Sequence, residues 1–215
     1  MTASAGSGTV AAAPSPSVAA LTARFGPAIR RHEVSVGDTI VYVAPDRAHE
    51  VLAWLRDDPG QRFDYLTDVT AVEYRDRERP LEVVWQLRAL GRGADLRVKV
   101  ELDPGRPLEV DSVYDLWRGA DWLEREVYDM FGVRFRGHPD LRRILMWETY
   151  REGHPLRKDF PLRGHFSRAE QTRQALAANP EAHYSIQELS IAAAYDELPG
   201  DMKERLSRGE RGDVA

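Results

Sequence analysis

The sequence predicts an α+β fold in which a mostly antiparallel sheet is packed with helices. Three β-prone runs in the middle of the chain are joined by connections too short for a crossover helix, so neighbouring strands should be antiparallel. Apolar residues on either side of these runs recur at helical spacing. Beyond this core we expect an extended partner-docking segment and then a helical or irregular C-terminal tail.

Composition shifts divide the chain into four predicted regions. These are a disordered leader (1–19), an α+β core domain (20–135), an extended basic docking segment (136–166) and a C-terminal tail (167–215). The leader is broken by Pro and lacks the basic start and apolar stretch of a secretory signal. No stretch approaches the roughly 18 apolar residues of a membrane helix. Membrane association is therefore expected only through a partner.

The N-terminal part of the core is predicted to hold two helices and a strand pair. A helix over 18–25 should stop at Gly26-Pro27. The β-prone runs 32–36 and 39–43 surround Gly37-Asp38, a dipeptide typical of a hairpin or a short connector. A second helix over 46–56 follows, because Val51, Leu52 and Leu55 share one helical face.

A meander of three strands is predicted next, over 69–74, 81–90 and 95–102. The last run alternates cleanly, with apolar side chains at every second position from Leu96 to Leu102 and charged ones at Arg97, Lys99 and Glu101. One face of the sheet should therefore pack against the core.

Two helices with capping-box spacing are predicted after the meander. Ser112 and Asp115 indicate a short helix over 113–117, and Asp121 with Glu124 opens another that ends at Gly132. In the tail, helices are expected over 169–178 and 186–195, followed by a charged end over 201–215.

Cysteine is absent and charge is unevenly placed. Without Cys the chain offers no disulfide, thiolate zinc site or usual iron–sulfur ligation. The formal net charge is −5, yet residues 134–168 carry nine Lys or Arg against four acids. Most of these cations are arginines, whose planar fork suits carboxylates at interfaces. A codon bias toward Arg explains the excess equally well.

The strongest signal is a charged helix followed by a turn and an apolar-basic run. Arg125, Glu126 and Asp129 cluster on one side of the helix. This stretch resembles the family of C subunits of the bacterial proton-pumping NADH-quinone oxidoreductase, respiratory complex I. The family signature is Glu-Arg-Glu, two residues, an acid, two apolar residues, then His, a basic residue and two apolar residues. It is filled here by Glu124, Arg125, Glu126, Asp129, Met130, Phe131, His138, Arg142, Ile144 and Leu145.

A second family hallmark lies at 153–162, which reads Gly-His-Pro-Leu-Arg-Lys-Asp-Phe-Pro-Leu. Pro155 and Pro161 prevent a continuous helix there, so the backbone needs water or a neighbour to satisfy its amides. We expect a strap laid across another protein; a strap across this domain's own surface is the alternative. The predicted interface residues are Arg143, Pro155, Leu156, Arg157, Lys158, Asp159 and Phe160.

The resemblance, which covers 39–162, implies a scaffold role without a redox centre. Electrons would pass from NADH through FMN and iron–sulfur clusters on partner subunits to quinone, coupled to proton translocation. It implies D-type, B-type and I-type neighbours, no cofactor on this chain, and a peripheral place on the cytoplasmic side of the cell membrane. As a hypothesis, Arg125, Glu126 and Asp129 hold the helix against the next turn. Four cations would meet acidic groups on a partner: Arg142, Arg143, Arg157 and Lys158.

Three other functions are weighed against this one. An enzyme or metal site would recruit Glu124, Glu126, Asp129, His138 and His154, but no metalloprotease or phosphate-loop motif is present. Nucleic-acid binding is opposed by the acidic net charge. A related subunit of a membrane-bound hydrogenase of the formate-hydrogenlyase type is the closest alternative. In those complexes the domain is often fused to a larger region, before which this chain stops.

Overall fold

A five-stranded sheet with helices on one face forms the first of two units in the computed structural model, which describes residues 15–147 and 149–178 with Gly200 and Lys203. The units are Met1–Gly164 and His165–Ala215. Three predicted features lie largely or wholly outside the described residues, namely the leader up to residue 14, the helix over 186–195 and the charged end. No helix among the described residues is long and apolar enough to cross a membrane.

The described residues form four α-helices and seven strands. They are α1 (Pro16–Phe25), β1 (Ile29–Ser35), β2 (Asp38–Val43), α2 (Ala48–Asp57), β3 (Tyr65–Glu73), β4 (Leu81–Ala89), β5 (Ala94–Leu102), β6 (Glu109–Asp111), α3 (Ala120–Phe131), β7 (Arg134–Arg136) and α4 (Arg168–Ala178). The α+β class is confirmed. Of these elements only α4 belongs to the second unit.

The sheet combines a local meander with one distant pairing. Its strand order is β1-β2-β5-β4-β3, and β3, β4 and β5 form the predicted antiparallel meander. Strands β1 and β2 form the predicted hairpin. The hairpin then joins the meander through a parallel pairing of β2 with β5, in which Val41 lies opposite Val98. No pattern in the sequence predicts this parallel pair.

The hydrophobic core lies between the helices and one face of the sheet. Leu96, Val98, Val100 and Leu102 of β5 are all buried in it, as their alternation predicts. On the opposite face Lys99 Nζ lies 2.8 Å from a carboxylate oxygen of Glu82. Burial of a charged pair requires such mutual satisfaction.

Helix α1 begins earlier than predicted. Ser15 precedes it and accepts a hydrogen bond from the Val18 amide at 3.4 Å, and Pro16 occupies the first helical turn. Pro is favoured there because its missing N–H has no partner within the helix. The last four positions of the predicted leader, 16–19, are therefore helical.

The predicted helix over 113–117 is wrong. Only a single turn forms, in which the amides of Leu116 and Trp117 bond the Val113 carbonyl at 3.0 and 2.9 Å. The Ser112 hydroxyl accepts a hydrogen bond from the Tyr114 amide at 3.1 Å and donates to Glu124 at 2.6 Å. The other capping-box groups have distant partners, because the Ser112 amide donates to the Arg136 carbonyl at 2.9 Å and the Asp115 carboxylate lies 3.0 Å from His49 Nε2.

Helix α3 ends as its sequence predicts. Gly132 adopts a left-handed φ of 79°, and its N–H bonds the Tyr128 carbonyl. Strand β7 then pairs in parallel with β6, which places Arg136 beside Asp111 at 2.9 Å. These contacts direct the following chain back toward α3.

Candidate docking site

A segment without regular secondary structure lies against the C-terminal half of α3. It comprises residues 141–147 and 149–160, and we call it the strap. It is attached at four places: the Asp129 side chain, the Arg125 side chain, the last carbonyls of α3 and Glu73 on β3. Each attachment uses backbone atoms of the strap, which explains why an irregular segment can be ordered.

Asp129 provides the central attachment. Its Oδ2 accepts hydrogen bonds from three successive strap amides, those of Ile144, Leu145 and Met146, at 3.0, 2.7 and 2.8 Å. Arg143 Nη1 donates to Oδ1 at 2.6 Å. Successive N–H groups that converge on one anion form a concave anion site. Here the anion is a buried side chain of the same protein.

The environment of Asp129 keeps it ionised. Burial alone would raise the pKa of this carboxyl, but the hydrogen bonds from the Met146 amide, from Arg143 and from the neighbouring amides outweigh burial and lower the pKa below its ordinary value. The negative charge is thus maintained by the strap that it holds.

Arg125 complements Asp129 one helical turn earlier. Its Nε and Nη2 donate to the carbonyls of Arg142 and Arg143, both at 3.2 Å. The side chain is buried, with its guanidinium carbon 5.3 Å from the centre of the Trp122 ring. Helix α3 therefore binds strap carbonyls through Arg125 and strap amides through Asp129, because positions four apart share a helix face.

The C-terminal carbonyls of α3 are also occupied by the strap. The Leu156 amide donates to Met130 O at 3.0 Å, and His154 Nδ1 lies 2.9 Å from Asp129 O, so Nδ1 carries a proton. Carbonyls in the last helical turn have no partner within the helix. The strap supplies those missing donors.

Gly132 makes this close approach feasible. A Cβ at this position would lie 2.6 Å from Cδ2 and 2.7 Å from Nε2 of His154. Its left-handed backbone is also unfavourable for any residue with a side chain. The glycine therefore both ends α3 and leaves space for the histidine.

The fourth attachment is Glu73, the last residue of β3. The Lys158 amide donates to one carboxylate oxygen at 2.5 Å, and Arg157 Nη2 lies 3.5 Å from the other. Arg157 was predicted to meet an acidic group on a partner. The structure gives it an acidic group on its own domain, as it does for Arg143, and the contact with a partner stays a prediction.

Glu124 and His138 stabilise chain segments outside the strap. Glu124 is buried and accepts hydrogen bonds from the Ser112 hydroxyl at 2.6 Å and the Val113 amide at 2.7 Å. Burial raises its pKa from 4.5 to about 7, although both hydrogen bonds act in the opposite direction. His138 Nδ1 accepts from the Asp140 amide at 3.1 Å, which leaves Nε2–H to donate to Asp121 O at 3.2 Å.

The predicted site residues thus separate into inward and outward groups. Arg125, Asp129, Arg143 and Arg157 bind the chain itself, as do Glu124 and His138. Phe160 packs over Gly153, where an added Cβ would lie 3.7 Å from its ring. Pro155 is half-buried. The exposed members are Glu126, Arg142, Leu156, Lys158 and Asp159, and Arg142 pairs with Asp140 at 2.8 Å.

Three contributors were absent from the predicted site. Glu73 follows Val69 and Ala71 on the core face of β3, so a charge in that alternation was an available signal. Gly132 and His154 carried no signal for their contact, because a long stretch of chain separates them. Among the described residues no group of three potential metal ligands occurs.

Fold and site together define an α+β domain that carries its own strap on a signature helix. Residues 41–166 match the family model described as respiratory-chain NADH dehydrogenase, 30 Kd subunit. The chain belongs to this family, which confirms the resemblance drawn from the two motifs.

Two relatives show the extent of the similarity. Both are named as C subunits of NADH-quinone oxidoreductases. The chain is 43% identical to the one numbered 2 from Rhizobium etli, over 71% of this chain and 80% of that protein. It is 48% identical to the one from a Roseiflexus species, over 59% of this chain and 71% of that protein.

A solved structure, the membrane-bound sulfane sulfur reductase, an archaeal respiratory membrane complex, contains a chain with a TM-score of 0.56. The match covers 76% of this chain and 91% of that one at 21% identity, and it shows a shared fold.

Proposed function

We propose that this chain is a scaffold subunit in the peripheral arm of an NADH-quinone oxidoreductase. Electrons would pass from NADH through FMN and iron–sulfur clusters on other subunits to quinone, coupled to proton translocation. This chain would bind none of those cofactors. The family match and the names of its relatives support the complex.

The scaffold role is supported by one observation: the charged signature residues Arg125 and Asp129 bind the strap of the same chain. The Asp129 carboxylate accepts three amide hydrogen bonds and one from Arg143. Arg125 is occupied by two strap carbonyls. A carboxylate already saturated with four donors is poorly suited to exchange protons with a substrate. The sequence also lacks the Cys that usually ligates an iron–sulfur cluster.

The proposed neighbours are the D-type, B-type and I-type subunits, with the chain held peripherally on the cytoplasmic side of the cell membrane. The excess of Lys and Arg over acidic residues in 134–168 supports contact with acidic protein surfaces. A hydrogenase-type complex is not favoured, because the relatives reported above are named as NADH-quinone oxidoreductase subunits.

Charge reversal of Arg143 tests the scaffold role. Arg143→Glu would place a second negative charge beside buried Asp129 and detach the strap. Loss of one partner from such a pair typically costs about 3–5 kcal/mol. In cells that lack the native gene, we expect native gels to show at least about tenfold less assembled complex, with unchanged NADH-quinone turnover per assembled complex.

The matched control is Arg106→Glu, which reverses an arginine whose side chain is 81% exposed. It should leave assembly unchanged. Equal assembly of Arg143→Glu with lost turnover would contradict the proposal. So would a purified chain that arrives with bound flavin or metal and oxidises NADH unaided.

A further inference from the structure

We propose that Leu145 and Leu156 form one apolar docking patch for another polypeptide of the same complex, one that presents an apolar recess bordered by carboxylates. This inference rests on the proposed function and identifies the surface that serves it. The side chains of both leucines are accessible to a partner, since Leu145 is 60% and Leu156 51% exposed.

The two leucines are separated along the chain, but both are bonded to the C-terminal end of α3. The Leu145 amide lies 2.7 Å from the Asp129 carboxylate, and the Leu156 amide lies 3.0 Å from the Met130 carbonyl. Asp129 and Met130 are consecutive residues of α3. Both leucine backbones are therefore fixed to the same turn of one helix.

Both leucines expose their side chains although their backbones are bonded to α3. The polar atoms of the strap are thus satisfied internally and its apolar groups are displayed. Because the backbone is already ordered, binding through these leucines would lose little conformational entropy.

Charge indicates the character of the partner. Lys158 is exposed and forms no ion pair with any residue that the structure describes. It follows Leu156 by two positions and is next to the exposed acid Asp159; exposed Arg142, three positions before Leu145, is paired with Asp140 at 2.8 Å. Cations beside an apolar patch favour a surface with acidic residues around an apolar recess.

The test compares two leucine variants of the full chain. Leu145→Ser combined with Leu156→Ser removes the patch, and Leu90→Ser alters a leucine that is 60% exposed in the turn after β4. We expect the double variant to lower assembled complex at least about tenfold in native gels and Leu90→Ser to leave it unchanged. Melting temperatures of both isolated chains should match the parent chain.

Three results would overturn the patch. Normal assembly of the double variant would show that partners bind elsewhere. A lower melting temperature than Leu90→Ser would show that the chain covers these leucines itself. A parent chain that is dimeric when purified and becomes monomeric in the double variant would identify a second copy as the occupant.

Lys158→Glu provides a second variant that leaves the leucines intact. It should reduce assembly more strongly as salt is lowered, because like charges then repel over a longer distance. Arg106→Glu is its control, and equal behaviour of the two would overturn the acidic border. If Arg143→Glu blocks assembly while the leucine variant does not, the scaffold role stands and the patch is rejected.

Discussion

Two buried carboxylates on α3 show how residue-level surroundings decide ionisation. Asp129 receives four donors, one of them a guanidinium, and its pKa is lowered. Glu124 receives two neutral donors, and burial raises its pKa to about 7. The donors to the two carboxylates differ in number and charge, and the nearby acids Asp115 and Asp121 also raise the pKa of Glu124.

The raised pKa of Glu124 predicts a pH-dependent stability. The folded state binds this proton more tightly than the unfolded state, whose ordinary pKa is 4.5. Its contribution is complete below that value and is lost as the pH rises to about 7. The expected slope is about 1.4 kcal/mol per pH unit between those limits.

Glu124→Gln should remove this slope. Urea unfolding at pH 5, 6, 7 and 8 would measure the difference in unfolding free energy between the parent chain and the variant. Glu126→Gln, an exposed neighbour on the same helix, provides the control. Parallel pH profiles for the parent chain and Glu124→Gln would contradict the assignment.

At the scale of elements, the end of α3 is a junction between a helix and the strap. Gly132 and Gly137 both have left-handed φ angles, 79° and 82°, but only Gly132 faces His154. Alanine at either position should lose about 1 kcal/mol from the unfavourable backbone. Gly132→Ala should lose at least about 1 kcal/mol more from overpacking, as measured by urea unfolding.

A double-mutant cycle isolates that excess. In a His154→Ala background the collision is removed, so Gly132→Ala should then resemble Gly137→Ala. If the excess persists without the histidine ring, the contact is not its cause.

Elements whose neighbours are close in sequence were predictable, and those that depend on distant partners were not. The meander followed from Leu96–Leu102 alternation and short connections, and α3 from its apolar stripe and Gly132. The helix over 113–117 failed because the Ser112 amide bonds Arg136 and the Asp115 carboxylate bonds His49, both distant in sequence. The β2–β5 pairing was not predicted, because nothing in the neighbouring sequence encodes it.

At the scale of the whole first unit, the strap contributes to the stability of the domain on which it lies. Its amides satisfy Asp129, and its Arg157 lies beside Glu73. The predicted boundary between a core at 20–135 and a docking segment at 136–166 stays a prediction. The contacts argue that the core depends on the segment beyond it.

Two truncations measure that dependence. A fragment of residues 15–164 should unfold in urea much as the full chain does. A fragment of residues 15–135 leaves Asp129 buried without its donors and should be less stable by at least about 3 kcal/mol. Equal stability of the two fragments would show that the strap contributes nothing to the fold.

The sequence predicted which residues form the site, but not which of their side chains face the domain and which face solvent. The motif spacing located Asp129, Arg143 and Leu156 in the sequence. It could not show that Arg143 faces inward and Leu156 outward, because an irregular segment has no period from which facing can be read. Contacts with α3 decide that, and they depend on tertiary structure.

The parallel pairing of β2 with β5 has a consequence during synthesis. The meander can close as soon as its own strands leave the ribosome, since each pairs with its successor. The β1–β2 hairpin is synthesised first, but Val41 of β2 cannot pair until Val98 of β5 has been synthesised. Such non-local pairings form slowly. The earliest strands of the nascent chain therefore have an open edge for the longest time, and chaperones would be needed there first.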